Sequence, residues 1–186
     1  MNIIRKKVFV LRGISGSGKS NQAKMIIAEE LKLTENDKDV SLETLISNPL
    51  VRYCSADTYF MKEGVYEYDF SKINEAHDTC LKHYLEALTD PTNQLIVVDN
   101  TNTENWEYAP YTALARIYGY EVRIIEVHRD ILTCIRENKH KVPASAIKAQ
   151  YKRFEPTPSR FNVQIVRIGK LPNRLTRLYR WLFRRI

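Results

Sequence analysis

Apolar residues return along the chain with two alternating periods. Short continuous apolar runs, bounded by glycine, asparagine or aspartate, alternate with longer stretches in which apolar positions recur every three or four residues. The first pattern belongs to buried strands and the second to helices packed on one face. On this reading 7–11, 51–55, 94–98, 121–127 and 163–168 are strands, and 22–31, 71–88, 103–118, 131–138 and 144–154 are helices. In the second helix Ile73, Ala76, Cys80, Tyr84 and Leu88 share a face, with Ser71 as its expected N-cap; Thr103 is the expected cap of the third, which Gly119 stops. Pro143 opens the last one. Residues 33–50 are polar and weakly patterned, apart from a short helix near 41–46, and read as a surface insertion. Regular alternation of strand and helix predicts an α/β fold in three layers, a central parallel sheet covered on both faces. Ligands of such folds sit at the carboxyl ends of the strands. Asp57, Asp99 and a glycine-rich loop each follow a predicted strand.

A length of 186 residues suits one well-cored domain, taken as 1–170, followed by a tail over 171–186. No stretch is long and apolar enough to span a bilayer, and the apolar run after Arg5, Lys6 and Lys7 is too short for a signal-peptide core. The three cysteines, Cys54, Cys80 and Cys134, lack metal-type spacing and suit reduced, buried thiols, so a cytoplasmic location is expected. The formal charge of +7 is unevenly distributed. Eight basic residues and no acidic ones lie within 156–186; without them the 29 Lys and Arg fall to 21 against 22 Asp and Glu, so residues 1–155 carry about −1. The basicity belongs to the tail, where Leu175, Leu178, Leu182 and Ile186 form one helical stripe among arginines. Three uses fit that pattern: docking on the protein's own core, contact with an anionic membrane, or tracking a nucleic-acid backbone.

Gly13-Ile14-Ser15-Gly16-Ser17-Gly18-Lys19-Ser20 carries the most specific chemistry. A phosphate cradle needs consecutive backbone N–H groups pointing inward, and glycine where a β-carbon would clash or φ must be positive. It needs a helix N-terminus behind it, a lysine for the β- and γ-phosphates, and a hydroxyl for Mg²⁺. All of these are present between a predicted strand and a predicted helix, so Gly13, Ser15, Gly16, Ser17, Gly18, Lys19 and Ser20 are expected to bind a nucleoside triphosphate, with Ser20 and Asp99 at the metal. Asp99 ends the most apolar run, where a Walker B carboxylate would stand; a plain strand-end turn is the alternative. Asp57 is either a general base facing the γ-phosphate or a cap for the next turn. His77, amid a helix, reads as a solvated or packed residue. Arg129, Arg136, Lys139, His140, Lys141 and Lys148 form either a basic lid over the nucleotide, spanning 129–154, or a solvated face. Arg136 is the foremost of them.

Taken in order, the loop, Ser55-Ala56-Asp57 with its aromatics, Tyr66-x-Tyr68-Asp69-Phe70, Glu75-Ala76-His77, Val97-Val98-Asp99-Asn100-Thr101-Asn102, Trp106, and Arg136 and Asn138 ahead of Val142-Pro143 resemble the polynucleotide-kinase-like branch of P-loop kinases. The likeness runs over about 8–155. It implies that Asp57 activates a 5′-hydroxyl, that Asp99 organises the phosphate and metal region, and that Arg136 is the lid arginine. Glu137 stands where the family often has a second arginine, and Thr58 where it commonly has a second aspartate. The expected protein is an ATP- and Mg²⁺-dependent kinase acting on a polynucleotide or nucleotide. A small-molecule kinase of the same fold and a nucleotide-dependent switch module are the rivals. The Asp57 carboxylate favours transfer to a hydroxyl, since a pure switch needs no such base.

Overall fold

A computed structural model describes residues 6–33, 40–158 and 163–170. Its elements are β1 (Lys7–Arg12), α1 (Lys19–Glu30), α2 (Leu42–Ile46), β2 (Val51–Cys54), β3 (Met61–Lys62), β4 (Val65–Tyr66), α3 (Ile73–Thr89), β5 (Leu95–Asp99), α4 (Asn105–Ile117), β6 (Glu121–Val127), α5 (Ile131–Arg136), α6 (Ala144–Arg153) and β7 (Gln164–Ile168). Five strands form one sheet in the order β2-β5-β1-β6-β7, with every pairing parallel. The chain builds first to one side of β1 and then to the other. The carboxyl end of β1 therefore lies where the winding reverses, the crevice in which open α/β sheets place their ligands.

Alternation along the central strands divides the core. Val8 and Val10 of β1, with Ile96 and Val98 of β5, pack against Ala76, Cys80, Tyr84 and Leu88 of α3 and Tyr108, Tyr111 and Ala115 of α4. Phe9 and Leu11, with Leu95 and Val97, pack instead against Ala23, Ile26 and Ile27 of α1. Successive side chains on a strand point to opposite faces, so a run apolar at every position needs a helix layer on each side. Across the first layer the Tyr84 hydroxyl donates to the Tyr111 carbonyl at 2.7 Å, which satisfies a buried phenol.

Several local expectations are corrected. Ser71 does not cap α3: Asp69 accepts the Ser71 N–H at 2.9 Å and opens a 3-10 turn over Phe70–Lys72, from which the helix continues at Ile73. Thr103 is not the cap of α4 either. The helix begins after Glu104, whose N–H donates to Glu107 at 3.0 Å, because a glutamate three residues on can reach back to the first free donor. Pro143 precedes α6 rather than lying in its first turn. Part of the expected surface insertion belongs to the core, since Leu45 of α2 is buried beside α1 with Val40, Leu42 and Ile46 packed around it. The helix expected over 171–186 lies outside the described residues. The β3–β4 hairpin was not anticipated, its strands being only two residues each. Glu63 and Gly64, at φ 49° and 83°, turn it with both central residues in the left-handed region.

Candidate active site

β1 hands the chain to the loop at Arg12, and α1 takes it up at Lys19. Gly16 and Gly18 have φ of 78° and 97°, which L side chains rarely adopt. At Gly16 a β-carbon would also collide with the carbonyl of Cys134 on α5, so α5 rests directly on the loop. The Gly13 N–H donates to the Thr101 carbonyl at 2.9 Å, tying the start of the loop to the segment after β5. Inside the loop the Ser17 hydroxyl is buried without a hydrogen-bond partner. A buried polar atom of that kind costs on the order of 1–3 kcal/mol unless something supplies a bond. A phosphate oxygen in the cradle would do so, and the loop therefore fits a nucleotide on its own geometry.

Lys19 reaches back to the Ile14 carbonyl at 3.2 Å. Burial lowers its ammonium pKa below the usual lysine range, against the opposing pull of Asp99 and then Asp57. Asp99 is buried at the end of β5, where Oδ2 accepts from the Ser20 hydroxyl at 2.8 Å and the Tyr53 hydroxyl at 2.6 Å. Its carboxylate thus faces the loop rather than closing a strand-end turn. Tyr53 is kept protonated, its pKa raised by burial and by Asp99. Ser20 and Asp99 together offer hard oxygens at one point. That set fits Mg²⁺, which is usually held by one or two carboxylates with phosphates and water completing its shell.

Asp57 stands just beyond β2. The 3-10 turn Ala56–Phe60 is capped by Ser55, whose hydroxyl accepts the Asp57 N–H at 3.2 Å and donates to the Asp99 carbonyl at 2.9 Å. Asn100 accepts the Ala56 N–H at 2.8 Å, so the ends of β2 and β5 are fastened together. Capping is therefore done by Ser55, and the Asp57 carboxylate remains 52% exposed. Tyr66 of β4 donates to its Oδ1 at 2.9 Å, and Nε2 of His140 lies 3.8 Å from its Oδ2. Thr58, in the place of a second aspartate, donates its hydroxyl to the Ser55 carbonyl at 2.6 Å.

The segment expected to form a lid folds as α5, α6 and their connection, packed beside the loop. Ile14 of the loop is buried against Cys134, Ile147 and Phe154. The Ser15 N–H donates to Oε1 of Gln150 on α6 at 2.8 Å, a loop contact that the sequence did not suggest. Arg136 is not brought to the loop. It is largely exposed at the end of α5 and pairs with Glu137 at 3.4 Å, while the other oxygen of Glu137 takes Arg129 at 2.6 Å. Glu137 thus pairs with both arginines, through contacts exposed to solvent. His77 is exposed on α3, as a solvated residue would be.

A second polar cluster was missed entirely. Arg12 is fully buried between the rings of Tyr108 and Phe154, at 4.3 and 4.7 Å. Its guanidinium donates to the carbonyls of Asn102 (2.7 Å), Thr103 (3.1 Å) and Glu155 (2.9 Å), to Glu126 at 3.3 Å and to Thr157. Glu126 also takes His128 at 3.2 Å, Arg167 at 3.1 Å and the Thr157 hydroxyl. Burial alone would raise the Glu126 carboxyl; the bonds from His128 and Thr157 and the charges of Arg12 and Arg167 outweigh it and hold its pKa at about 2. The available signal was a charged residue ending one apolar strand and another inside a second, a pattern that strands buried on both faces tolerate only with pairing.

The parallel sheet, the glycine loop opening α1 and a helical lid resting on that loop define a P-loop kinase fold. The chain belongs to the AAA domain family, whose profile matches residues 8–161. Among curated relatives, human NEDD4-binding protein 2 is 27% identical over 190 residues, covering 95% of this chain and 9% of that protein, so the chain spans less than a tenth of that relative's length. Among solved structures, Kti12 from Chaetomium thermophilum in complex with ADP-AlF3 superposes with a TM-score of 0.59 at 14% identity, covering 92% of this chain and 94% of that one. A gluconokinase from Sinorhizobium meliloti matches at 0.52 and 16%, with 97% of each chain covered. A fungal RNA kinase matches at 0.51 and 13%, with 90% and 76% covered. No helix among the described residues is long and apolar enough to cross a membrane.

Proposed function

We propose that the protein is a kinase that uses ATP and Mg²⁺ to phosphorylate a hydroxyl, the 5′-hydroxyl of a polynucleotide or nucleotide. The observation that carries this reading is Asp57: a half-exposed carboxylate, relieved of capping by Ser55 and held by Tyr66, whose charge is felt at Lys19. A module that only senses nucleotide needs no carboxylate on this side of the cradle, whereas activation of an attacking hydroxyl does. In the proposed reaction the acceptor oxygen bonds to the γ-phosphorus as the bond to the β–γ bridging oxygen breaks, ADP leaves, and the acceptor's proton passes to Asp57. Lys19 and the loop N–H groups hold the phosphates. Mg²⁺, bound through Ser20 and Asp99, supplies charge neutralisation at the phosphate oxygens. The gluconokinase and the RNA kinase match the fold almost equally, so the acceptor is a matter for the Asp57 side of the site.

Labelled γ-phosphate from ATP should pass to 5′-hydroxyl oligonucleotides or nucleosides in preference to a panel of small metabolites. Asp57→Asn should reduce that transfer by roughly 10²- to 10⁴-fold while keeping the KM for ATP within a few-fold. ATP hydrolysis without transfer to any acceptor would favour the switch, and labelling of a metabolite alone would favour a small-molecule kinase.

A further inference from the structure

Tyr59, Phe60, Tyr66, Tyr68 and Phe70 fall within one short segment that begins two residues after Asp57. Phe60 is buried and anchors the group, with ring centroids 5.3 Å from Tyr59, 6.2 Å from Tyr66 and 5.0 Å from Tyr68. Tyr66 and Tyr68 lie nearly parallel, at 15° and 6.4 Å. The outer rings, which follow the hairpin, remain in solvent, Tyr68 at 50% and Phe70 at 77% exposure, with Met61 and Val65 exposed on the hairpin itself. Single exposed apolar residues are ordinary, whereas packed rings with an exposed member beside an exposed carboxylate suit a ligand surface. Two strands of two residues have little stability of their own. This hairpin is held instead by Phe60, by the Tyr59 hydroxyl on Glu75 at 2.7 Å and by the Tyr66 hydroxyl on Asp57. Those contacts fix exposed rings at the position where the acceptor's hydroxyl must arrive.

We propose that the β3–β4 hairpin and the residues just after it are the acceptor subsite, and that Tyr68 stacks on the nucleobase of the nucleotide whose 5′-hydroxyl faces Asp57. This deepens the kinase reading and rests on it. Flat aromatic surface selects an acceptor with a ring of its own, because every nucleobase has a π-face and stacking is tolerant of its identity. Charge on the hairpin is mixed: Lys62 pairs with Glu67 at 3.0 Å, and Glu63 and Asp69 are acidic, so it is not built to track a phosphate backbone. The lid supplies that complement. His140 packs on Tyr66 at 4.5 Å between centroids, and Lys139 and Lys141 flank it. Tyr66 is thereby a positioning residue engaged by Asp57 and His140, which leaves Tyr68 as the accessible member of the stacked pair.

The test compares two acceptors in the unaltered protein: a 5′-hydroxyl tetranucleotide, and the same molecule with an abasic 5′-terminal residue. The base-bearing acceptor should be favoured at least about tenfold in kcat/KM, and by a similar factor in Kd measured by titration with a non-hydrolysable ATP analogue present. Tyr68→Leu should raise the KM of the base-bearing acceptor by roughly tenfold, leaving the abasic acceptor and the KM for ATP unchanged, and Tyr68→Phe should recover most of the loss. Equal kcat/KM for the two acceptors, or an equal loss on both in Tyr68→Leu, would overturn the stacking subsite and leave the kinase intact. Transfer to neither acceptor would overturn both.

Discussion

Two polar clusters meet at the first glycine of the phosphate loop, and they differ in how fully they are satisfied. In the cluster centred on Arg12 and Glu126, the guanidinium has three carbonyls, a carboxylate and a hydroxyl, and the carboxylate has two arginines, a histidine and a threonine. In the cluster centred on Lys19 and Asp99, the ammonium has one carbonyl, the Ser17 hydroxyl has nothing, and the neighbouring Asp57 is open to solvent on one side. Buried charge that is completely paired serves architecture: here it joins the end of β1 to the segment after β5, the end of α6 and β7. Charge and hydroxyls with unused capacity await a ligand. The contrast separates residues of similar chemistry, such as Arg12 and Lys19, that lie only seven positions apart.

The largest expected effect falls on the saturated cluster. Arg12→Leu leaves Glu126 and three carbonyls short of partners, and should lower the free energy of unfolding by about 3–5 kcal/mol in a urea titration. Loss of activity with unchanged stability would place Arg12 in the wrong cluster. Lys19→Ala should do the reverse, reducing kcat by roughly 10²- to 10³-fold, the scale for one lost charge-stabilising donor, with the urea midpoint little changed. Unaltered transfer by that variant would sink the assignment of the loop.

A pH experiment sharpens the comparison. The Glu126 pKa is depressed on folding, from 4.5 to about 2, so its contribution is fully present above about 4.5 and disappears as pH falls towards 2. At about 1.4 kcal/mol per unit, the protein should lose about 3 kcal/mol of stability across that window through this carboxylate. Glu126→Gln, less stable at neutral pH, should lack that part of the acid limb. Parallel acid limbs for the two proteins would show that the carboxylate is not clamped. The smallest change is at Arg136, which is exposed and paired only with Glu137. Arg136→Ala should alter stability by no more than about 0.5 kcal/mol, yet, if the exposed pair with Glu137 opens when nucleotide binds, lower kcat more than it raises the KM for ATP. Equal kcat in variant and parent would pass the lid's role to Arg129 or to the cations around His140.

The sequence by itself determined what depends on near neighbours. Strand runs, helix periodicity and the glycine loop are properties of residues a few positions apart, and all the long elements stand close to where those patterns put them. Gly16, Gly18, Lys19 and Ser20 were recognisable because a phosphate cradle is assembled from consecutive backbone groups. The tertiary structure alone decided what each polar side chain meets. The sequence read Asp57 equally as a cap or a base, and only the fold shows that Ser55 does the capping; it read Arg136 as a lid arginine, and only the fold pairs it with Glu137. Arg12 and Glu126 are 114 positions apart, and Tyr66 reaches Asp57 only because a hairpin too short to announce itself folds back on Phe60. No local period encodes such contacts, since they arise from the order in which the sheet is wound and from the burial that forces each charge to find a partner.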